Sequence, residues 1–206
     1  MTDTKFWDRI AEKYSKQPVA DQASYEKKLE VTRSYFTPET EVMEFGCGTG
    51  STAIAHAPHV KHVLATDVSQ NMVDIAREKA AAANVGNVTF ERATLDDMDL
   101  PDGSLDVVLG LSILHLLEDK EAAIAKVYRL LKAGGVFVSS TVCLGDNMRW
   151  FRFVGPIGRW LGFMPYVSVF TSQELVDSMK AAGFGVDYEW RPPGGRVLFL
   201  VAKKPG

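Results

Sequence analysis

Apolar side chains in the first 36 residues recur every three or four positions, the period of an α-helix with one buried face. One stripe consists of Phe6, Trp7, Ile10, Ala11 and Tyr14, and a second consists of Tyr25, Leu29, Thr32 and Phe36. This spacing predicts two helices ahead of the first strand.

Beyond residue 40, short apolar runs alternate with helical stretches. Seven strands are predicted, at 41–45, 62–66, 88–91, 105–111, 136–142, 186–190 and 197–202. Helices are predicted at 69–84, from about 119 to a glycine cap at 134–135, and from a capping box at 171–174 through 182. Such alternation predicts an α/β fold with a seven-stranded, mostly parallel sheet, an antiparallel C-terminal hairpin strand and helices on both faces. Residues 203–206 are expected to fray.

The composition narrows the class of protein. With 206 residues, 46% of them apolar, the chain is expected to form one domain, residues 1–206. Its formal charge of -3 argues against a nucleic-acid partner. The two cysteines, Cys47 and Cys143, lie in apolar contexts typical of reduced proteins, and the sequence pattern leads us to expect neither a secretory leader nor a membrane-spanning segment. We therefore expect a cytoplasmic protein.

A glycine turn follows the first predicted strand directly. Glycines at 46, 48 and 50 let the backbone curl tightly and approach a ligand, although such a turn can also be a plain strand-to-helix connection. Asp67 closes the second predicted strand, at the sheet edge where open parallel sheets bind ligands. Its carboxylate could accept hydrogen bonds from ribose hydroxyls. The alternative, that Asp67 only favours the start of the next helix, is weakened because Ser69 already offers a capping hydroxyl.

Five segments in this order resemble one family. Residues 42–50 (VMEFGCGTG) resemble motif I of class I S-adenosylmethionine-dependent methyltransferases, and 64–69 (LATDVS) resemble the acidic motif that follows it. Residues 101–108, 114–119 and 130–136 are similar to the family's later segments, so the resemblance covers about 40–142. Within the family the chain is most similar to the small-molecule, quinone and menaquinone methyltransferase-like group.

The resemblance implies a Rossmann-like domain that binds S-adenosylmethionine and releases S-adenosylhomocysteine. It assigns cofactor contacts to Glu44, Gly46, Cys47, Gly48, Gly50, Asp67, Val68, Met72, Thr94, Leu95, Asp96 and Leu111. Glu44 would hold the amino end of the cofactor and Asp67 the ribose. Many relatives carry Asp at the position of Thr94, so the Thr94 hydroxyl or Asp96 would have to replace that acceptor for the adenine amino group.

Three other functions were weighed. A dinucleotide-dependent oxidoreductase is disfavoured because Ser51 stands where the third glycine of that fingerprint is required. A non-catalytic protein that binds S-adenosylmethionine or S-adenosylhomocysteine remains an alternative to methyl transfer. Metal binding through His56, His59 and His62 is not expected, because Pro58 prevents the three from sharing a helix face.

His115 is the candidate catalytic residue. If the acceptor is a hydroxyl, a base near the end of the fourth strand would help, and an ordinary histidine pKa near 6.5 suits proton removal at neutral pH. The alternative is a half-buried histidine with a structural role only.

The acceptor is expected to contact the segments outside the matched half. These are the predicted lid helices at 1–37, with Tyr14 and Tyr25, and an aromatic insertion at 143–170, with Trp150 and Phe153; residues 171–206 add a final helix and hairpin. Such walls favour a small apolar or amphiphilic acceptor, although the aromatics could equally be ordinary core. Residues 147–166 also carry Arg149, Arg152 and Arg159, which suggests peripheral membrane contact. Gly155, Pro156 and Gly158 are expected to break any helix there.

Overall fold

The computed structural model describes residues 3–160, 162–194 and 196–206, with the side chain of residue 157 excluded. Its strands are β1 (Glu41–Phe45), β2 (His62–Asp67), β3 (Val88–Arg92), β4 (Leu105–Leu111), β5 (Leu131–Val142), β6 (Gly185–Trp190) and β7 (Val197–Lys203). They form one sheet in the order β3-β2-β1-β4-β5-β7-β6. The predicted mixed sheet, with its antiparallel C-terminal hairpin, is therefore confirmed.

Seven α-helices accompany the strands in the described residues. They are α1 (Thr4–Ser15), α2 (Gln22–Arg33), α3 (Ser51–His56), α4 (Gln70–Ala82), α5 (Lys120–Leu130), α6 (Phe151–Trp160) and α7 (Ser172–Ala181). The predicted capping box is present, since the Thr171 hydroxyl accepts from the Glu174 amide and the Glu174 carboxylate accepts from the Thr171 amide. Of the helices that the structure describes, none has the length and apolar character needed to span a bilayer.

The chain divides into two compact units, the first made of residues up to 99 with 105–109. Within it β1 pairs in parallel with β2 on one side and with β4 on the other, and β2 pairs in parallel with β3. The strand order thus reverses at β1, and in open α/β sheets ligands bind at the carboxyl ends of the strands around such a point. The buried centre of β1, Val42 to Phe45, leads directly into the glycine turn.

The second unit consists of residues 100–104 and 110–206. Here β5 and β7 are antiparallel over seven residue pairs, from Val136 opposite Lys203 to Val142 opposite Val197. Phe137 and Phe199 are fully buried, and β6 forms the edge with a bulge between Val186 and Tyr188.

Two predictions in this unit were wrong, for one reason. Helix α5 ends at Leu130, and Gly134 and Gly135 lie inside β5 rather than capping a helix. Lys203 and Lys204 do not fray, because Lys203 ends β7, the Gly134 amide donates to Lys204 O and the Lys204 amide donates to Gly135 O. The Lys204 ammonium also donates to the Tyr128 and Leu131 carbonyls. A partner strand about 70 residues away thus overrides the local glycine signal.

The predicted break at Gly155, Pro156 and Gly158 was also wrong, since α6 runs from Phe151 to Trp160 with Pro156 inside it. The glycines have packing roles: a Cβ on Gly158 would lie 2.6 Å from Met164 Sδ, and one on Gly155 would lie 3.3 Å from Phe151 Cε1. Close packing therefore accounts for glycines that the sequence alone suggested were helix breakers.

Candidate functional site

The glycine turn between β1 and α3 depends on left-handed backbone. Gly46, Gly48 and Gly50 have φ angles of +66°, +54° and +73°, a region that L-residues rarely adopt. A Cβ on Gly50 would lie 2.7 Å from both Ala76 Cβ and Phe90 Cε1, so this position also lacks space for a side chain. The turn therefore presents bare main chain at the end of β1.

Asp67 is held rigidly at the end of β2. Its Oδ2 accepts from the Gly48 amide at 2.9 Å and its Oδ1 accepts from the Ser69 amide at 2.9 Å. The side chain faces inward, because only 9% of Asp67 is exposed. Burial raises its pKa, while the amides of Ser69, Gly48 and Val68 oppose that shift. An ionised carboxylate offers about four acceptor positions, so at least one stays open to a ligand hydroxyl.

Glu44 lies in the same negatively charged surroundings. Its carboxylate accepts from the Ala53 amide in the first turn of α3, and Oε2 has no hydrogen-bond partner among the described residues. Burial, reinforced by the charge of Asp67, raises the Glu44 pKa to about 8. A buried carboxyl group with an unfilled acceptor position fits a cationic ligand group, which would favour the ionised form.

Cys47, inside the turn, is buried and free. Burial, together with the charges of Glu44 and Asp67, raises its thiol pKa well above the usual value. A thiol of this kind is a poor nucleophile at neutral pH, which favours a packing role for Cys47 over covalent catalysis.

Tyr14 and Tyr25 approach this cluster from α1 and α2. Tyr14 Cε1 lies 3.8 Å from the position that a Cβ on Gly48 would take. Burial of the Tyr14 side chain raises its pKa, and the charge of Asp67 raises it further. The Tyr25 hydroxyl bonds the Thr52 side chain and lies within electrostatic range of Glu44. The structure thus brings both tyrosines, predicted as substrate contacts, to the glycine turn.

The sequence did not reveal a set of hydrogen bonds of Asp8 with Ser69 and Asn71 that joins α1 to α4; we call this set the Asp8 latch. The Asp8 carboxylate accepts from the Ser69 hydroxyl at 2.6 Å and from the Asn71 amide at 3.3 Å, while the Asn71 side-chain amide donates to Asp8 O at 3.0 Å. The Asp8 carboxylate therefore helps to cap the N-terminus of α4. Nothing in the local pattern marks Asp8, because its partners lie more than 60 residues along the chain.

The residues predicted around adenine have varied surroundings. Thr94 forms a closed turn, since its amide and hydroxyl both donate to Asp97 Oδ2 and its oxygen accepts from the Asp97 amide. Leu95 is buried, Asp96 is exposed and Val68 is half-buried. Met72 packs in the core with 1% of its surface exposed. The Thr94 hydroxyl is thus already engaged within its own turn, and the adenine contacts stay predictions.

Four predicted residues belong to the second unit. Leu111 ends β4 and is half-buried. His115 is half-buried with Nδ1 unpaired in the described residues, and burial lowers its pKa to about 4 rather than leaving it at the ordinary value we had assumed. Trp150 and Phe153 are 56% and 76% exposed, so they are not core.

The histidines considered as metal ligands have different surroundings. His56 is fully buried and packs edge-to-face on Phe36 at 5.0 Å, while His62 bonds the Thr89 hydroxyl on β3. Across the residues that the structure describes, no group of three His, Cys, Asp or Glu side chains is arranged to hold a metal ion.

Comparison with known proteins shows what the chain is similar to. Residues 42–135 match the family model described as "Methyltransferase domain". That match spans β1, the glycine turn, Asp67 and His115. Over these residues the chain is similar to methyltransferase domains, in agreement with the family resemblance of its motifs.

Proteins similar to this chain include the uncharacterized methyltransferase YcgJ of Bacillus subtilis, 29% identical over 138 residues, which cover 67% of this chain and 54% of YcgJ. Demethylmenaquinone methyltransferase of Symbiobacterium thermophilum is 27% identical over 176 residues, covering 81% of this chain and 68% of that protein. The chain spans about half the length of most of the curated relatives it matches.

Two solved structures share the fold. The crystal structure of YcgJ superposes with a TM-score of 0.73 at 19% identity, covering 88% of this chain and 99% of that one. The [4+2]-cyclase SpnF superposes with a TM-score of 0.74 at 18% identity, covering 92% of this chain and 85% of SpnF. At these identities the likeness concerns the fold alone.

Proposed function

We propose that the protein transfers a methyl group from S-adenosylmethionine to a small apolar or amphiphilic acceptor by in-line displacement. The observation that carries the proposal is the bond between the Gly48 amide and the buried Asp67 carboxylate. This bond fixes a ribose-type acceptor directly beside bare main chain, at the carboxyl end of β1 and β2.

The charges of the cluster favour the same ligand. Glu44 and Asp67 are both buried, and the pKa of Glu44 is raised partly by the charge of Asp67. A ligand that brings an ammonium or sulfonium group would relieve this repulsion, whereas an anionic dinucleotide would increase it. We therefore assign Glu44 to the amino end of the cofactor and Asp67 to the ribose, as the family resemblance implies.

When bound, the cofactor supplies an electrophilic methyl group on a sulfonium. Displacement then needs an acceptor lone pair about 3 to 3.5 Å from the methyl carbon, and positioning of this kind can supply several kcal/mol. In this protein the glycine turn and the two carboxyl groups would hold the cofactor, with Tyr14 and Tyr25 beside the turn.

An amphiphilic acceptor is supported by two observations. Demethylmenaquinone methyltransferase, a relative over 81% of this chain, has by its name an acceptor of that chemical class. The second unit exposes large aromatic side chains, among them Trp150 and Phe153.

The localisation that we propose is the cytoplasm. The free cysteines Cys47 and Cys143 are consistent with its reducing conditions.

His115 is proposed only as a weak proton acceptor. Because its pKa is about 4, the imidazole stays neutral at pH 7, but it has little driving force to hold a proton. We expect His115→Asn to reduce kcat by less than the 100-fold that a committed general base would give. A kcat profile that breaks near pH 4 in the wild type and not in the variant would show that His115 does take the proton.

The proposal is tested with methyl-labelled S-adenosylmethionine and separate pools of quinols, phospholipids and aromatic metabolites. We expect labelled product in one pool together with release of S-adenosylhomocysteine, and at subsaturating cofactor both should fall at least tenfold in Asp67→Ala. Asp74→Ala, an exposed carboxylate on α4, is the matched control and should leave both unchanged.

A second candidate function is binding of the cofactor without transfer. It is favoured by the low pKa of His115, and the SpnF comparison illustrates that this fold also serves a [4+2]-cyclase. Tight cofactor binding with neither labelled product nor S-adenosylhomocysteine from any pool would favour this second function.

A further inference from the structure

The segment between β5 and α7 exposes a face of large aromatic side chains. Trp150, Phe153, Trp160 and Phe163 are 56%, 76%, 84% and 78% exposed. We call these four residues the aromatic face. Large exposed apolar groups concentrated in one short segment indicate an interaction site, because their contact with water is unfavourable.

Helix α6 gives this face a basic edge. Phe153 and Trp160 are seven residues apart, so they lie within about 20° of each other around the helix. Arg152 and Arg159 are also seven apart and lie about 100° around from that pair. The opposite side of the helix packs inward through Gly158, whose Cβ position lies 2.6 Å from Met164 Sδ.

The charge of the segment is opposite to that of the remaining chain. Residues 147–170 contain three arginines and no Asp or Glu, a charge of +3, whereas the whole chain carries -3. Arg152 is exposed, Arg149 Nε donates to Gly145 O, and Arg159 pairs with Glu118 and lies 5.0 Å over the Tyr166 ring. The segment is therefore attracted to a negatively charged surface while the rest of the chain is repelled from it.

The ends of the segment are held firmly. The Gly145 amide donates to Phe170 O at 2.8 Å, and a Cβ on Gly145 would lie 2.5 Å from Phe170 C. Asp146 caps α7 by accepting from the Ser172 amide and hydroxyl, and Arg191 bonds the Ser172 hydroxyl at 3.0 Å. Because its base is closed by these bonds, the segment presents its face as a fixed platform.

We propose that the aromatic face docks on an anionic phospholipid surface, with the rings inserted at the headgroup level and Arg149 and Arg152 near the lipid phosphates. Trp and Phe on one side of a helix with arginine at its border are the features of an interfacial helix. A second copy of the chain fits less well, because a symmetric contact would bring the two arginine edges together. This inference does not depend on methyl transfer.

The test is sedimentation with vesicles of phosphatidylcholine alone and of phosphatidylcholine with about 30% phosphatidylglycerol. We expect binding to the anionic vesicles at least tenfold stronger than to neutral ones, and weaker binding as salt rises because the charges are screened. Two of the four tryptophans, Trp150 and Trp160, belong to the face, so tryptophan emission should shift to the blue on binding.

Matched variants separate lipid docking from general effects. Phe153→Ser with Trp160→Ser should weaken binding at least tenfold, and Arg152→Glu alone should weaken it about tenfold. Val19→Ser and Lys13→Glu, which change an exposed valine and an exposed lysine in the first unit, should have no effect. Cofactor binding by each variant, measured by calorimetry, shows that the fold is kept; should the double variant not fold, Arg152→Glu carries the test.

Equal binding to neutral and anionic vesicles would overturn the proposal, as would variants that bind like the wild type. A concentration-dependent dimer that disappears in Phe153→Ser with Trp160→Ser would assign the face to a second copy and would also overturn it.

Discussion

Proteins usually bury apolar side chains and expose charged ones, and two regions of this molecule do the reverse. The glycine-turn cluster in the first unit buries carboxyl groups, whereas the aromatic segment in the second unit exposes large rings. In the first unit two carboxyl groups, Glu44 and Asp67, are 2% and 9% exposed. In the second, Phe153 and Trp160 are 76% and 84% exposed. Buried carboxylates and exposed aromatics both cost stability, so each arrangement indicates a binding task rather than a folding one.

The two regions also differ in how they are held. In the cluster, the backbone amides of Gly48 and Ser69 fix Asp67. The glycines of the turn have left-handed φ angles, which residues with a side chain rarely adopt. In the aromatic segment, hydrogen bonds of Gly145 and Asp146 close the base, while Phe153 and Trp160 lie largely in solvent. Changes in the cluster should therefore affect stability and binding together, whereas changes on the aromatic face should affect contact with a partner only.

The largest effect is expected from Gly50→Ala. The variant combines a left-handed φ of +73° with a Cβ placed 2.7 Å from Ala76 and Phe90. We expect the free energy of unfolding to fall by about 3 kcal/mol, measured by urea denaturation. Gly103→Ala, with φ +66° and open space around it, isolates the backbone strain and should cost about 1 kcal/mol. Equal losses in the two variants would remove the argument for close packing at Gly50.

The next effect is a pH dependence caused by Glu44. Its pKa rises from 4.5 in the unfolded chain to about 8 in the folded protein, so the folded state binds more protons between these values. Stability contributed by protonated Glu44 is therefore full below about pH 4.5 and is lost as pH rises through about 8, by up to about 1.4 kcal/mol per pH unit. Glu44→Gln should flatten this slope in denaturant titrations at pH 5 to 8. A variant with the wild-type slope would contradict the assignment.

A smaller effect is expected when α1 is released from α4. Asp8→Ala removes the acceptor for the Ser69 hydroxyl and the Asn71 amide, so we expect a loss of about 1 kcal/mol and faster amide exchange in α1. The comparison is Asp74→Ala, which removes an exposed pair with Arg77 and should change stability by less than about 0.5 kcal/mol. Unchanged exchange in α1 would mean that the latch is not what holds the helix.

The smallest effect is expected on the aromatic face. Phe153→Ser should change the free energy of unfolding by less than about 0.5 kcal/mol, because the ring is already in water. Phe199→Ala, which truncates a fully buried ring on β7, should cost about 3 to 5 kcal/mol by the same measurement. Substantial destabilisation by Phe153→Ser would place that ring in the core and would weaken the contrast between the two regions.

The seven strands could be predicted because each depends on a local apolar run with clear turns at its ends. Predictions from local sequence failed where residues elsewhere in the chain determine the structure. Gly134 pairs with Lys204, and Gly158 packs on Met164. Each glycine had been interpreted as a helix terminator, yet a neighbour from elsewhere in the chain gives it another role.

In the candidate site, Asp67 could be found because strand ends and glycine turns carry a spacing that the sequence shows. The unpaired Oε2 of Glu44 and the lowered pKa of His115 could not be found, since both follow from burial in three dimensions. The same holds for Asp8, whose partners are set by how α1 packs on α4.

The most direct test of the central claim is calorimetric titration of S-adenosylmethionine into the wild type and into Asp67→Ala, with NAD titrated as the competing ligand. We predict binding of S-adenosylmethionine by the wild type, a loss of about 1.5 to 3 kcal/mol in Asp67→Ala, and no comparable binding of NAD. Equal affinity of the two proteins for S-adenosylmethionine, or binding of NAD alone, would contradict the account.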